Sequence, residues 1–212
     1  SKAGVPYVRL ASIALDTSDH VVIANERSAV AAMVEYLVDL GHCRIGYVAG
    51  PKARKSTRER LEGFCDAMER FGCQADDELI AWGEYTFESG IECAKQLLTL
   101  GDPPSAIFAS NDEMAAGVIQ TAKDLGLDVP EDLSVSGFDD SALATRIRPE
   151  LTTIRRPVRE MARLATTKLL ASINGNLEEA RVGAFLDPVL VVRDSTRAVP
   201  DLAGVSPAEE TD

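Results

Sequence analysis

The stretch "SVSGFDDSALATRIRPELTTI", residues 134–154, holds the plan of this chain in miniature. An apolar run, Leu133 to Phe138, ends at a corner that presents Asp139 and Asp140 side by side. Adjacent carboxylates are costly to aim at a protein interior without partners, so their place at the end of a buried strand asks for a purpose. The chain then returns through Leu151-Thr152-Thr153-Ile154, a second short strand pattern.

Outward from this stretch, strand and helix patterns alternate. Ala106 to Ala109 reads as a buried strand, and Ala115, Val118, Ile119, Ala122 and Leu125 follow at helical spacing, with Gly126 as the stop. Further upstream come a helix through Ala29, Met33, Tyr36, Leu37 and Leu40 ended by Gly41, and a strand from Arg44 to Ala49. A helix through Leu61, Phe64, Cys65, Met68 and Phe71 ends at Gly72, and a short strand runs from Leu79 to Trp82. Thr86 then caps a helix carrying Ile91, Ala94, Leu97 and Leu98. Strands written as continuous apolar runs, separated by single helices, predict a parallel sheet covered on both faces. The fold class is doubly wound α/β.

The beat changes after Ile154. Pro157 opens a helix with Val158, Met161, Ala162, Ala165, Leu169 and Ile173, and a last strand covers Val189 to Arg193. At the other end, Pro6 to Ala11 and His20 to Ala24 read as strands with no helix between them, too little to make a domain. An N-terminal truncation is expected, and a disordered tail over 198–212, where prolines, small residues and acids gather.

With 45% apolar and 26% charged residues the composition is that of an ordinary globular protein, and no apolar run is long enough to span a membrane. A net charge of -12 would repel a phosphate backbone, so this stretch by itself is not expected to bind DNA. Cys43, Cys65, Cys73 and Cys93 show no CxxC pair and no metal-ligand spacing; they are expected to be buried thiols of a cytoplasmic protein. Two histidines, His20 and His42, give no basis for a metal site, and no phosphate-loop or nucleophile-elbow motif is present.

Open α/β sheets bind ligands beyond the carboxyl ends of their strands. Those ends offer Gly50-Pro51 with Lys52, Arg54, Lys55, Arg58 and Arg60; Glu84 and Tyr85; Ser110, Asn111 and Asp112; and Asp139 with Asp140. Arginine, an aromatic ring, an amide and a carboxylate on one edge suit a small polyhydroxylated or cyclic ligand. Plainer roles are also open. Asn111 and Asp112 can cap a helix, with Asp112 the expected cap; Tyr85 can be packing; the basic run can be a solvated surface, although cations at a helix N-terminus oppose the macrodipole.

Six segments in order carry a family resemblance: "YLVDLGHCRIGYVAGP" (36–51), "RERLEGFCDAM" (58–68), "SAIFASNDEMAAGV" (105–118), "LGLDVPEDLSVSGFDD" (125–140), "PELTTIRRPVREMA" (149–162) and "VVRDST" (191–196). The chain resembles the effector-binding part of the LacI/GalR family of bacterial transcription regulators from about Pro6 to Thr196. The resemblance implies a periplasmic-binding-protein-like fold of two Rossmann-like subdomains with parallel sheets, joined by three crossovers, with the effector between them. It places 1–24 and 155–183 in a partial N-terminal subdomain and 25–154 with 184–197 in the C-terminal one. It assigns effector contacts to Arg60, Tyr85, Asn111 and Asp139, and more weakly to Arg54 and Ser56. Two departures stand out: Asn25-Glu26 replaces the usual Asp-Asn, and Arg156 replaces a glutamine. The added cation, next to the basic run, points to Arg156 as a further contact and to a sugar effector that is acidic or phosphorylated.

The resemblance also implies a homodimer, built on the helix after "ND" and the loop after "GFDD": Ala116, Ile119, Leu143 and Ile147, with Ala116 and Ile147 expected on the exposed side. Operator DNA would be a partner only through a helix-turn-helix head that this sequence lacks; no catalysis, cofactor, metal or membrane contact is implied. Two other functions compete. A periplasmic solute-binding protein would be marked by a signal peptide or a disulfide pair, neither of them legible. An α/β phosphosugar enzyme would need a nucleophile–base pair or metal ligands at the strand ends, where no histidine stands beside the Asp, Asn and Arg.

Overall fold

In the computed structural model, which describes residues 5–11, 21–176 and 184–199, two sheets form. The larger has the order β4-β3-β5-β6-β7-β9, built from β3 (Ile45–Ala49), β4 (Ile80–Trp82), β5 (Ala106–Ala109), β6 (Ser134–Asp139), β7 (Thr152–Arg155) and β9 (Val189–Val191). Its strands run parallel except β9, which is antiparallel to β7. The smaller sheet, all parallel, is β1 (Arg9–Ala11), β2 (Val21–Ala24) and β8 (Ala184–Leu186) in the order β1-β2-β8.

Strand alternation divides the core of the large sheet. Tyr47, Phe108 and Phe138 point to the face covered by α1 (Glu26–Asp39) and α2 (Lys55–Arg70), meeting Met33, Leu37, Phe64 and Met68. Val48, Ile107 and Val135 point to the other face, under Leu97, Met114 and Val118 of α3 (Phe87–Leu98) and α4 (Asp112–Asp124). Each such buried side chain stabilises the fold by roughly 1.5–3 kcal/mol. The stop glycines behave as expected, with φ of 90° at Gly41, 72° at Gly72 and 76° at Gly126, backbone that other residues seldom adopt.

Three connections join the sheets: β2 to α1 at Asn25, β7 to α5 (Val158–Ile173) at Arg156-Pro157, and β8 to β9 at Asp187-Pro188. The first and third lie together, the Asn25 N–H donating to the Leu186 carbonyl at 2.9 Å. Helix α5 covers the small sheet, with Met161 against Val22 and Ala24.

Several expectations need correction. Ala184–Leu186 pairs with β2 in the small sheet, so the last crossover follows Leu186 and not Gly183. Cys43 and Cys73 are not thiols: they form a disulfide, their Cα atoms 5.3 Å apart, while Cys65 and Cys93 stay free. Spacing rules look for local motifs, and this pair is made by two loops meeting at the amino ends of β3 and β4. Of the tail expected to be disordered, Ala198 and Val199 are described, the Val199 N–H donating to the Leu40 carbonyl at 2.8 Å; 200–212 fall outside the described residues, as does His20.

Candidate functional site

Beyond the carboxyl ends of β3, β5, β6 and β7, four charged side chains meet. Arg60 projects from α2 and is only 4% exposed. Its Nε donates to Glu26 Oε2 at 2.8 Å, its Nη1 to the Ser110 carbonyl at 2.5 Å, and its guanidinium lies over the Phe138 ring, 3.8 Å from the centroid. Burial works against the Arg60 charge, but Glu26 outweighs it and holds the pKa above its ordinary value. Glu26, the first residue of α1, is itself buried, and its Oε1 approaches Arg156 Nε at 3.2 Å. Arg156 in turn reaches Asp139 Oδ1 at 3.5 Å through Nη1. The sequence Arg60–Glu26–Arg156–Asp139 balances two cations with two anions.

The two aspartates of the opening stretch part company at the corner, where φ is 115° for Asp139 and 53° for Asp140. Asp140 is structural: Arg193 Nη2 and Arg155 Nε each donate to it at 2.5 Å. Burial would raise its pKa, yet these two arginines win and hold it below the usual carboxylate range. Asp139 is turned toward Arg60 and Arg156; burial raises its pKa in spite of both cations. Its Oδ1, with Glu26 Oε1 and Arg156 Nε, is buried and receives or gives no hydrogen bond of good geometry. Unpaired buried polar atoms are rare because each costs about 1–3 kcal/mol. Here the three are held by ion pairs alone, so the two carboxylate oxygens can still accept and Arg156 Nε can still donate a hydrogen bond.

The hydroxyl end of the Tyr85 ring packs against Gly50. A Cβ on Gly50 would sit 2.2 Å from Tyr85 Cζ, so only glycine allows this seat. The Tyr85 hydroxyl is 2.8 Å from Thr57 Oγ1, and its backbone has φ of 64°. Asn111 is the cap of α4, its Oδ1 accepting from the Met114 N–H at 3.0 Å, while its Nδ2 donates to the Tyr85 carbonyl at 3.0 Å. The expected cap, Asp112, does something different. It is buried and accepts from the Thr153 hydroxyl and the Ser141 N–H, both at 2.6 Å, which ties the returning strand to the corner. Burial pushes its pKa up to about 6, against the pull of those two bonds.

The basic run is dispersed. Arg54 and Arg58 are exposed, Ser56 is half-buried, and the Lys52 ammonium lies 4.5 Å from the Trp82 ring centroid. Of the expected contacts, Arg60, Asp139 and Arg156 come together; Tyr85 and Asn111 flank them; Arg54 and Ser56 stay at the start of α2. Glu26 has no place among the expected contacts. Its one signal is that it and Arg156 are both departures from the family pattern, and the structure makes them partners.

A family of periplasmic binding protein-like domains matches residues 34–196. The chain is 43% identical over 170 residues to the HTH-type transcriptional repressor CytR of Escherichia coli (strain K12), covering 79% of this chain and 49% of that protein. It is 38% identical to the HTH-type transcriptional regulator MalR of Streptomyces coelicolor, covering 95% of this chain and 59% of that one. Among solved structures, the Escherichia coli transcriptional repressor ascG matches with a TM-score of 0.82 and 32% identity, over 91% of this chain and 70% of that one. The CelR–cellobiose complex matches with a TM-score of 0.83 and 31% identity, over 91% and 59%. The chain belongs to the LacI/GalR family. It spans about half to three-fifths of the length of these curated relatives.

As a LacI/GalR effector-binding domain, the chain departs from the expected dimer face. Ala116, expected to be exposed, is buried, and so is Ile119. Helix α4 is clasped on two sides, by the sheet and by α3, where a Cβ on Gly117 would meet the Phe87 carbonyl oxygen at 2.3 Å. Leu143 and Ile147 are half-buried, Ile147 packing against the core. Among the described residues of this LacI/GalR domain, no cluster of three His, Cys, Asp or Glu side chains could hold a metal ion, and no helix is long and apolar enough to cross a membrane.

Proposed function

We propose that this chain is the effector-binding part of a LacI/GalR-type transcriptional regulator, which binds a small sugar-like molecule without transforming it and controls operator DNA through a helix-turn-helix head. The observation that carries this reading is the buried Arg60–Glu26–Arg156–Asp139 cluster at the strand ends, in which Glu26 Oε1 and Asp139 Oδ1 are ion-paired yet accept no hydrogen bond. It lies where two connections pass between the sheets, so a ligand there touches the segments on which the two subdomains turn. In this reading residues 1–24 and 156–186 belong to the N-terminal subdomain, and 25–155 with 187–197 to the C-terminal one, because Arg155 still pairs with Asp139 and Val189 in the large sheet. A homodimer would form through the loop holding Leu143 and Ile147, and Ile147→Asp would release monomers in light scattering.

The effector is a neutral, hydroxyl-rich ring. The ground for an acidic or phosphorylated effector weakens once Arg60 and Arg156 are paired with Glu26 and Asp139, because an incoming anion would face two carboxylates. A solved relative binds cellobiose, and another sugar-binding regulator of the LacI family, from Escherichia coli, is complexed with phosphate. Thermal midpoints with millimolar neutral sugars, nucleosides and sugar phosphates test the reading, since a bound ligand stabilises the folded state by mass action. A neutral ligand should raise the midpoint of the wild type and not of Asp139→Ala. A response to phosphorylated ligands alone would refute the neutral effector.

A secreted solute-binding protein is the second reading, favoured by the Cys43–Cys73 disulfide. The relatives named as transcriptional repressors and regulators weigh against it. Loss of operator binding on adding ligand to the full-length protein separates the two.

A further inference from the structure

Cys43 and Cys73 follow the ends of two neighbouring helices, Cys73 directly after its stop glycine and Cys43 one residue further on. Helix α1 ends at Gly41 and α2 at Gly72, both with left-handed backbone. In both, the next N–H returns to the helix: His42 to the Leu37 carbonyl at 3.0 Å, Cys73 to the Met68 carbonyl at 2.9 Å. The two capped ends bring the cysteines together at the amino ends of β3 and β4, opposite the candidate effector site. The pair is asymmetric. Cys43 is exposed, whereas Cys73 is 5% exposed and part of the core.

We propose that Cys43 and Cys73 form a thiol–disulfide exchange site for a small-molecule disulfide of the glutathione class, with Cys43 as the entry sulfur and Cys73 as the resolving one. In the reduced protein the Cys43 thiolate attacks one sulfur of the small disulfide. A bond forms between the two sulfurs, and the other half leaves as a thiolate that takes a proton. The Cys73 thiolate, having given its proton to solvent, then attacks the Cys43 sulfur and displaces the second small thiolate. Two protein thiols are oxidised and one small disulfide is reduced to two thiols. The reverse steps reopen the pair. A thiol must be reached before it can exchange, and exposure makes Cys43 the sulfur that is reached first.

The remaining thiols do not compete. Cys93 is buried and its pKa is pushed up to about 11, first by burial and then by Glu92. Cys65 is half-buried and also raised, by burial first and then by the charges of Asp66 and Asp77. A thiol kept protonated is a poor nucleophile.

The 30-residue separation encloses β3, the loop after it and all of α2. That segment carries Gly50, Thr57 and Arg60, and near the site α2 touches α1 so closely that a Cβ on Gly63 would lie 3.2 Å from Arg27 Cα. Oxidation therefore fastens the far ends of two helices whose near ends supply Glu26 and Arg60. This last consequence rests on the effector reading; the exchange chemistry does not.

The test equilibrates the whole chain in mixtures of reduced and oxidised glutathione, quenches with acid and reads alkylated thiols by mass spectrometry. The wild type should pass between four free thiols and two as the mixture becomes oxidising, and its thermal midpoint should rise by several degrees. Cys73→Ser should collect one glutathione, on Cys43, while Cys43→Ser should leave Cys73 unmodified. A pair that stays oxidised in every mixture is a permanent cross-link, one that never closes is no couple, and adducts forming first on Cys73 reverse the roles; each result overturns the proposal. None of these readouts needs an effector, so failure here is distinct from failure of the regulator reading.

Discussion

Glu26 Oε1 and Arg156 Nε face each other at 3.2 Å, joining the segment where the chain leaves the small sheet to the segment where it returns. Glu26 also holds Arg60, so one buried carboxylate serves two guanidinium groups. Buried ion pairs cost much in desolvation, and breaking one leaves a charge with neither water nor partner.

Removing Glu26 should therefore hurt more than removing Arg156. Glu26→Gln leaves two cations against Asp139 and should cost roughly 3–5 kcal/mol, the range for breaking a buried pair. Arg156 is 28% exposed at its side chain, so Arg156→Gln lets water reach part of the cluster and should cost less. The double variant keeps Arg60 with Asp139, one charge of each sign, and should lose less than the sum of the singles. Denaturant unfolding of the four proteins measures the coupling; strict additivity would refute it.

Asp139→Ala should weaken effector binding by roughly 1.5–3 kcal/mol, the worth of one charge-assisted hydrogen bond. Calorimetry with any ligand that raises the wild-type thermal midpoint reads this directly. Asp140→Ala is the contrast: it should lower stability by freeing Arg155 and Arg193 and change affinity less.

Two glycine substitutions should differ because of what stands in the way. In Gly50→Ala the new methyl meets the Tyr85 ring, which can swing aside at the loss of its bond to Thr57, a cost of about 1 kcal/mol. In Gly117→Ala it meets the Phe87 carbonyl oxygen and the Ile91 nitrogen, backbone that cannot move without parting α3 from α4. Alanine favours a helix over glycine by about 1 kcal/mol, yet Gly117→Ala should be the more destabilising of the two. Thermal unfolding of both variants decides it.

Acidification should act through His42 first. Its ring is buried, with Nδ1 2.9 Å from Ser105 Oγ and Nε2 3.0 Å from both Ser134 Oγ and the Arg197 carbonyl. The carbonyl can only accept, so Nε2 carries the proton of a neutral ring. Burial lowers the pKa below the ordinary 6.5, opposed by the Arg197 carbonyl. The unfolded chain thus takes up a proton before the folded one, and stability should fall as pH drops below 6.5. Asp112 works the other way: its folded pKa of about 6 lies above its ordinary 3.8, so the fold holds that proton more tightly and recovers stability as pH falls through 6 toward 3.8. Denaturation midpoints from pH 7.5 to 5 for the wild type and His42→Gln should differ in slope most clearly just below 6.5.

The alternating strands and helices, the glycine stops at 41, 72 and 126, and the place of Asp139 at a strand end were legible in the chain because each depends on neighbours a few residues away, whereas Arg60 was singled out from its neighbouring arginines only by the family resemblance. Period and punctuation report one face of one element at a time. Tertiary structure alone decided the rest. Helix α4 shows one apolar stripe in sequence, yet it is gripped by both the sheet and α3, so Ala116 is buried where an outward face was expected. Asp112 looked like a cap and became an anchor for Thr153, 41 residues away. Cys43 met Cys73, and Glu26 met Arg156, through loops and crossovers whose approach no local pattern encodes. A charge or a thiol is defined by what lies within a few ångströms of it, and that is set by how whole elements pack, because hydrogen bonds and ion pairs fall off over distances far shorter than the fold.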